Sequence, residues 1–340
     1  MNVMNALLNL QHFYGWFNGS VSLMVCVSLL PVVLHFANRW ELHDVPGKLK
    51  PHAVPTPRLG GVAMGSALLA GISVGGTGLF SPAWLVFLAL ALVWIVGALD
   101  DLTNLPAGLR FAAQLVAGFL VAQTQWRMTV SGNALLDSLL TCLFVVIFVN
   151  AFNFFDGADG LVAGVASVAS FGYVVVYSSR APSVGAAISW AMLGTCVGFL
   201  LFNFPPARIF MGDSGSTVLG FLLAFLGLDF YRVHHAIGTH WLLPIAFAGL
   251  PLLDLCLAVV RRVRKRVSPF LGDRQHFYDL LQQRGWSPRP IAIGSYLATA
   301  GFVLLGWLSI SLTPGIAFLA IAMAFVSLTV TAVHLGSLRR

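Results

Sequence analysis

Charge is what this chain has least of. Only 9% of its 340 residues are Asp, Glu, Lys or Arg, against about 25% in a soluble globular domain. Of its twelve acidic residues eleven are Asp, and Glu41 is the single Glu. This scarcity excludes an ordinary soluble fold and points to lipid as the main solvent. Cysteine is also rare. Cys26, Cys142, Cys196 and Cys256 all lie inside apolar runs, which excludes a disulfide framework and a zinc spacing and leaves small apolar fillers. No basic region precedes the first apolar run, so that run reads as a permanent span and not as a cleavable signal. No internal repeat or low-complexity segment is visible.

Apolar residues make up 58% of the chain. They gather in runs at 20–37, 60–77, 83–99, 109–123, 135–151, 160–177, 184–202, 216–230, 240–260, 290–309 and 314–333. A spanning helix needs about 20 such residues. The runs therefore predict an all-α polytopic integral membrane protein of about eleven transmembrane helices, with ten as the alternative. The run at 216–230 is short for a span, and the stretch 3–17 is expected to lie along the interface. The length leaves room for a single multi-span domain, 1–340, with loops at about 38–59, 100–108, 150–159, 203–215 and 261–289.

Sixteen of the nineteen basic residues fall in loops after odd-numbered spans or at the C-terminus; Arg127, Arg180 and Arg232 fall on the other side. By the positive-inside rule the N-terminus is periplasmic and the C-terminus cytoplasmic. The same rule accounts for the net charge of +7 without nucleic acid as a partner. The acids were not used to orient the chain, yet Asp44, Asp100, Asp101, Asp156, Asp159, Asp213, Asp273, Asp279 and Glu41 all fall in or beside the cytoplasmic loops. Only Asp137 and Asp229 fall near the outer side, and Asp254 lies within a span.

Four clusters stand out. Asp100 and Asp101 are adjacent carboxylates at the end of an apolar helix, where they repel unless a cation is near; the bland alternative is a solvated helix end. Asn150 to Gly160 carries Asn153, Asp156 and Asp159. A helical start there would put the two acids on one face, and an Asx-rich cap is the plainer reading. Phe210 to Ser216 sets Asp213 between two glycines just before a helix, in a loop that also holds Asn203 and Arg208; Asp213 or Ser214 as a simple N-cap is the alternative. The 261–289 loop carries a basic run, Arg261 to Arg266, read mainly as anchoring at the membrane surface. Arg274 and His276 follow, and both can donate to phosphate oxygens. Asp254, about 10 Å deep along a helix from Arg261, is expected to pair with a basic residue of a neighbouring loop.

Carboxylates, an amide, glycine turns and cationic donors on one face suggest Mg²⁺-assisted phosphoryl chemistry, since Mg²⁺ is held by one or two carboxylates plus phosphate oxygens. Five landmarks occur in order: Thr56-Pro57-Arg58-Leu59-Gly60-Gly61, Asp100-Asp101, Asn150 to Leu161, Phe210 to Ser216 and the His276 loop. Through them, and over nearly its whole length, the chain resembles the polyprenyl-phosphate N-acetylhexosamine-1-phosphate transferases, the group that includes the MraY and WecA enzymes. The resemblance implies that undecaprenyl phosphate attacks the β-phosphate of a UDP-N-acetylhexosamine at the bacterial cytoplasmic membrane, releasing UMP. It also implies Mg²⁺ as cofactor, with Mn²⁺ as a substitute, held by Asp213 with Asn153. Asp100 and Asp101 would orient or deprotonate the lipid phosphate, a covalent intermediate being left open. Asp156, Asp159 and Asn203 would line the nucleotide pocket. Lys48, Arg58, Arg110, Arg274 and His276 would contact the phosphates.

The chain departs from the family pattern at two points. Arg110 stands where members often carry Lys, and a forked guanidinium replaces a point charge. The terminal loop reads His276-Phe277-Tyr278-Asp279, with one His in place of several. The absence of a multi-His run favours a WecA-like initiating enzyme for O-antigen or a similar glycan, with UDP-GlcNAc or a deoxy-aminosugar relative as donor. A homodimer is a further candidate assembly. The rival readings are a secondary transporter, which Asp254 would fit, and a CDP-alcohol phosphotransferase, which the Asp156–Asp159 spacing superficially suggests.

Overall fold

The structure is a computed structural model that describes residues 3–45, 47, 54–74, 83–178, 183–234, 241–268 and 272–338, with backbone alone for 3–13 and 234. Among the described residues it is helical apart from one two-stranded ribbon and an isolated bridge at Gly47. In chain order the elements are α1 (Val3–Arg39), β1 (His43–Asp44), β2 (Thr56–Pro57), α2 (Gly60–Val74), α3 (Trp84–Thr103), α4 (Ala107–Ala122) and α5 (Ala134–Phe155). They continue with α6 (Leu161–Tyr177), α7 (Val184–Asn203), α8 (Gly212–His234), α9 (Leu242–Phe247), α10 (Gly249–Arg264), α11 (Phe277–Gln283), α12 (Pro288–Leu308) and α13 (Pro314–His334).

Every predicted apolar run contains helix, but the count of spans changes. Among the described residues seven helices are long and apolar enough to cross a membrane: the Tyr14–Arg39 part of α1, then α3, α5, α7, the Gly212–Val233 part of α8, α12 and α13. Three more apolar helices, α2, α4 and α6, are shorter, at 15, 16 and 17 residues. The run 240–260 is not one helix. It breaks at Ala248, whose φ of −101° and ψ of 15° leave the helical region between α9 and α10. The stretch 3–17 is no separate interfacial piece either, because it continues into α1 without interruption.

The weak run at 216–230 becomes the centre of the molecule. α8 is the least apolar of the seven long helices and the most enclosed, packing against α2, α3, α5, α6, α7 and α9. A helix surrounded by protein needs small, well-packed side chains more than lipid-facing ones, and Ser214, Ser216 and Thr217 are buried in its first turns. α13 is the opposite case: it is the most apolar of the seven and the least buried. At the start of α8 the ends of α3, α5 and α7 and the ribbon's Thr56–Pro57 strand converge, as the contacts below describe.

Candidate active site

A helix begins with backbone N–H groups that have no partner within it. α8 satisfies its own from another helix. The Asp101 carboxylate, at the end of α3, accepts from Asp213 N at 2.8 Å, Ser214 N at 3.1 Å and Ser214 Oγ at 2.6 Å. Gly212, at φ +68°, turns the chain into this helix, and a side chain there would run into the Asp101 carboxylate. Asp101 is buried, with 6% of its surface exposed.

Asp100 is oriented differently. It accepts from Leu105 N at 2.6 Å and from Arg110 Nη1 at 2.9 Å. The same Nη1 donates to Asp213 Oδ2 at 2.6 Å. The adjacent carboxylates expected to serve the lipid phosphate together are thus separated: Asp101 caps α8, while Asp100 shares a cation with Asp213.

The 156–160 segment is a turn and not the expected helical start. α6 begins only at Leu161, after Gly160 at φ +69°. Asp159 accepts from Ala207 N at 2.9 Å. Asn203 Oδ1 accepts from Gly160 N at 2.9 Å, and its Nδ2 donates to Ile209 O at 2.8 Å. Asp159 and Asn203 therefore lace two turns together through backbone groups. The landmark at 56–61 joins the same structure. Pro57 O accepts from Phe210 N, Phe210 O from Gly60 N and Met211 O from Gly61 N, at 2.8–2.9 Å.

The 261–289 segment supplies the opposite wall. Its basic run is divided: Arg261 and Arg262 are buried, whereas Arg264, Lys265 and Arg266 are exposed. Arg261 grips Asp273 with Nε at 2.8 Å and Nη2 at 2.7 Å. Burial works against the ionised form of Asp273, but the Arg261 guanidinium outweighs it and holds the carboxyl below the usual range. Arg262 stacks over Phe154 at 4.9 Å and faces Asp273 at 3.6 Å. His276 Nδ1 lies 2.5 Å from Asp254 Oδ2, so Asp254 finds the basic partner expected of it.

These walls enclose a cavity of about 500 Å³. Eight of the chain's eleven aspartates line it: Asp44, Asp100, Asp101, Asp156, Asp159, Asp213, Asp273 and Asp279. Arg58, Arg262 and His276 face them. Arg58 Nε is buried with no hydrogen-bond partner among the described residues. Burial, followed by the carboxylates of Asp213, Asp101, Asp159 and Asp44, pushes the Asp156 carboxyl well above the usual range. A smaller recess of about 40 Å³ between α3, α4, α5 and α8 joins at Asp213 and is also lined by Arg110, Asn150, Asn153 and Thr217.

Of the remaining predicted residues, Asn153 donates to Ser216 Oγ at 3.2 Å and borders the small recess. Arg274 does not line the cavity; it faces Asp279 at 3.6 Å. Lys48 lies outside the described residues. Sequence reasoning missed Arg262 as a cavity residue because it reads like its exposed neighbours. The position of Arg262 on the amphipathic face of α10 is the signal that separates them.

Among the described residues no three His, Cys, Asp or Glu side chains are close enough to hold a metal by themselves. Mg²⁺ completed by phosphate oxygens needs no such set. The donor chemistry fits: Asp100 and Asp213 are already bridged by one cationic nitrogen, in a cavity where carboxylates outnumber bases.

Residues 83–231 match the model of the family described as Glycosyl transferase family 4. A decaprenyl-phosphate N-acetylglucosaminephosphotransferase of Mycobacterium leprae (strain TN) is 34% identical over 313 residues, covering 79% of this chain and 77% of that protein. A probable undecaprenyl-phosphate N-acetylglucosaminyl 1-phosphate transferase of Bacillus subtilis (strain 168) is 29% identical, covering 83% and 81%. The undecaprenyl-phosphate alpha-N-acetylglucosaminyl 1-phosphate transferase of Escherichia coli (strain K12) is 28% identical, covering 80% and 78%. Neither the transporter nor the CDP-alcohol reading survives this agreement along most of the chain. The chain belongs to the polyprenyl-phosphate sugar-1-phosphate transferases, in their WecA-like branch.

Proposed function

We propose that this chain transfers N-acetylglucosamine 1-phosphate from UDP-GlcNAc to a polyprenyl phosphate, undecaprenyl phosphate in the first instance, and releases UMP. The product would begin an O-antigen or similar envelope glycan. The observation that carries this reading is the aspartate-rich cavity, opposed by Arg58, Arg262 and His276, at the ends of long apolar helices. One reactant then comes from water and the other from lipid. The distribution of Lys and Arg supports a cytosolic cavity, an outer N-terminus and an inner C-terminus.

In the proposed reaction a phosphate oxygen of the lipid attacks the β-phosphorus of the donor, the bond to the α-phosphate oxygen breaks, and UMP carries the electron pair away. Asp213 and Asn153 are the residues that would hold Mg²⁺, which when bound withdraws charge from the diphosphate. Arg58 and Arg262 neutralise phosphate oxygens with fixed guanidinium donors. Arg110 tethers Asp100 to Asp213, and Asp100 is the carboxylate placed to receive or orient the lipid phosphate. Asp101 works one step back, by fixing the first turn of α8 that carries Asp213. Asp156 borders the nucleotide side of the cavity, with Asp159 and Asn203 bracing its turns.

The test is mass spectrometry of the organic-extractable product after purified protein meets undecaprenyl phosphate and a panel of UDP-N-acetylhexosamines. A lipid-diphospho-N-acetylglucosamine is expected with Mg²⁺ or Mn²⁺ and none after EDTA. A product from no UDP-sugar, or turnover that resists EDTA, overturns the reading.

A further inference from the structure

The Asp254–His276 contact lies at the border of two unlike environments. His276 precedes α11 with extended backbone and lines the polar cavity, whereas Asp254 lies on α10 and lines an apolar recess of about 230 Å³ together with Leu250, Leu253 and Leu257. Both residues are buried, at 5% and 4% exposure. A carboxylate only accepts hydrogen bonds, so the proton in the 2.5 Å contact sits on Nδ1. The second Asp254 oxygen accepts weakly from Phe277 N at 3.4 Å. The Tyr278 ring stacks on the imidazole at 5.4 Å, 6° from parallel. The ring is therefore held at one edge and one face, and Nε2 is left pointing at the cavity, 3.7 Å from Asp273 Oδ1.

We propose that Asp254 is a positioning residue of the transfer reaction: it fixes the direction of His276 and favours its doubly protonated ring, so that Nε2 as well as Nδ1 carries a proton and Nε2 presents an N–H to the phosphate oxygens of the donor. The inference rests on the function proposed above. An apolar backing strengthens the contact, because Asp254 has little water to lose it to. Asp273 faces the ring from the preceding loop and Tyr278 from α11, while Arg262, Asp279 and Asp156 line the same cavity. Burial favours the neutral imidazole, but the carboxylate of Asp254, then those of Asp273 and Asp279, outweigh it and raise the His276 pKa above its ordinary 6.5. The attraction is complete below that value and is lost as pH rises through the raised one.

The test uses the full-length protein in detergent. Asp254→Asn keeps the shape and removes the charge. The variant is expected to melt as a folded protein and to lose about 10- to 100-fold in kcat/KM, with the alkaline limb of its pH profile moved to lower pH. Asp254→Glu is expected to restore part of both. An unchanged alkaline limb, or a loss that merely tracks the fraction unfolded, overturns the proposal. A second measurement is independent of the substrate: the pH dependence of His276 modification by diethylpyrocarbonate, followed on its own peptide. Its midpoint is expected to fall in Asp254→Asn, and an unmoved midpoint overturns the proposal even if the wild-type donor proves to be a different sugar. Wild-type protein that makes no lipid product while the midpoint does shift counts against the function and not against the dyad.

Discussion

The two ends of α8 carry aspartates with opposite fates. Near its C-terminal end Asp229, 1% exposed, receives Trp126 Nε1 and the Tyr177 hydroxyl at 2.7 Å each, and Arg232 at 3.2 Å. Its oxygens are fully spoken for by its own chain. At the N-terminal end Asp213 shares Arg110 with Asp100 and opens onto a cavity where eight carboxylates meet few bases. A saturated buried acid holds a structure together, whereas a crowded, under-neutralised group of acids is tolerated only where something cationic is to arrive. The same residue type in one helix thus marks a lock at one end and a reaction site at the other.

The largest effect expected of this contrast is at Asp213. Asp213→Asn removes one of two carboxylates that crowd around Arg110, so the melting temperature should hardly move. Turnover should fall by at least about 100-fold, read as UMP release per folded molecule. Turnover near wild type would end the assignment of Asp213 to the reaction.

Asp229→Ala should invert that result. It leaves the buried Trp126 N–H without this acceptor, at a cost of about 1–3 kcal/mol, and takes from the Tyr177 hydroxyl the shorter of its hydrogen bonds. The 16 residues from Asp213 to Asp229 span about 24 Å of helix, so activity per folded molecule should be unchanged. A stable Asp229→Ala variant with damaged turnover would show that the two ends are coupled and that the contrast is false.

Much of this was legible in the sequence, and the reason is local. Apolar runs of helical length and the Asp-rich turns are properties of contiguous residues, and the structure keeps the helices and brings those turns together around one cavity. What was hidden depends on partners far apart in the chain. That Asp101 turns inward and Asp100 outward follows from where α8 begins, 112 residues later. That Asn203 braces a turn follows from Gly160. Arg262 and Arg274 differ only in which side of their segments meets the cavity, and no spacing states that. The break at Ala248 between α9 and α10 is a backbone choice inside an apolar run that periodicity reads as continuous.

The smallest effect is the sharpest test of the contrast, because it predicts a gain in stability. Asp156 is forced upward from its ordinary 3.8 by burial and by neighbouring carboxylates. A carboxyl whose pKa is higher folded than unfolded binds more protons when folded, so its contribution is most favourable at low pH. It worsens as pH rises from about 4 through the raised value. Asp156→Asn has the same shape and no titration. It should match wild type near pH 4 and become more stable by about 1 kcal/mol as the buffer approaches pH 8, while losing activity. Thermal melts across that pH range read the gap directly. A gap that is absent, or that favours the wild type at pH 8, would mean that Asp156 ionises comfortably against a partner of its own. In that case it would belong with Asp229 among the saturated acids, and the cavity would be less short of positive charge than its aspartates imply.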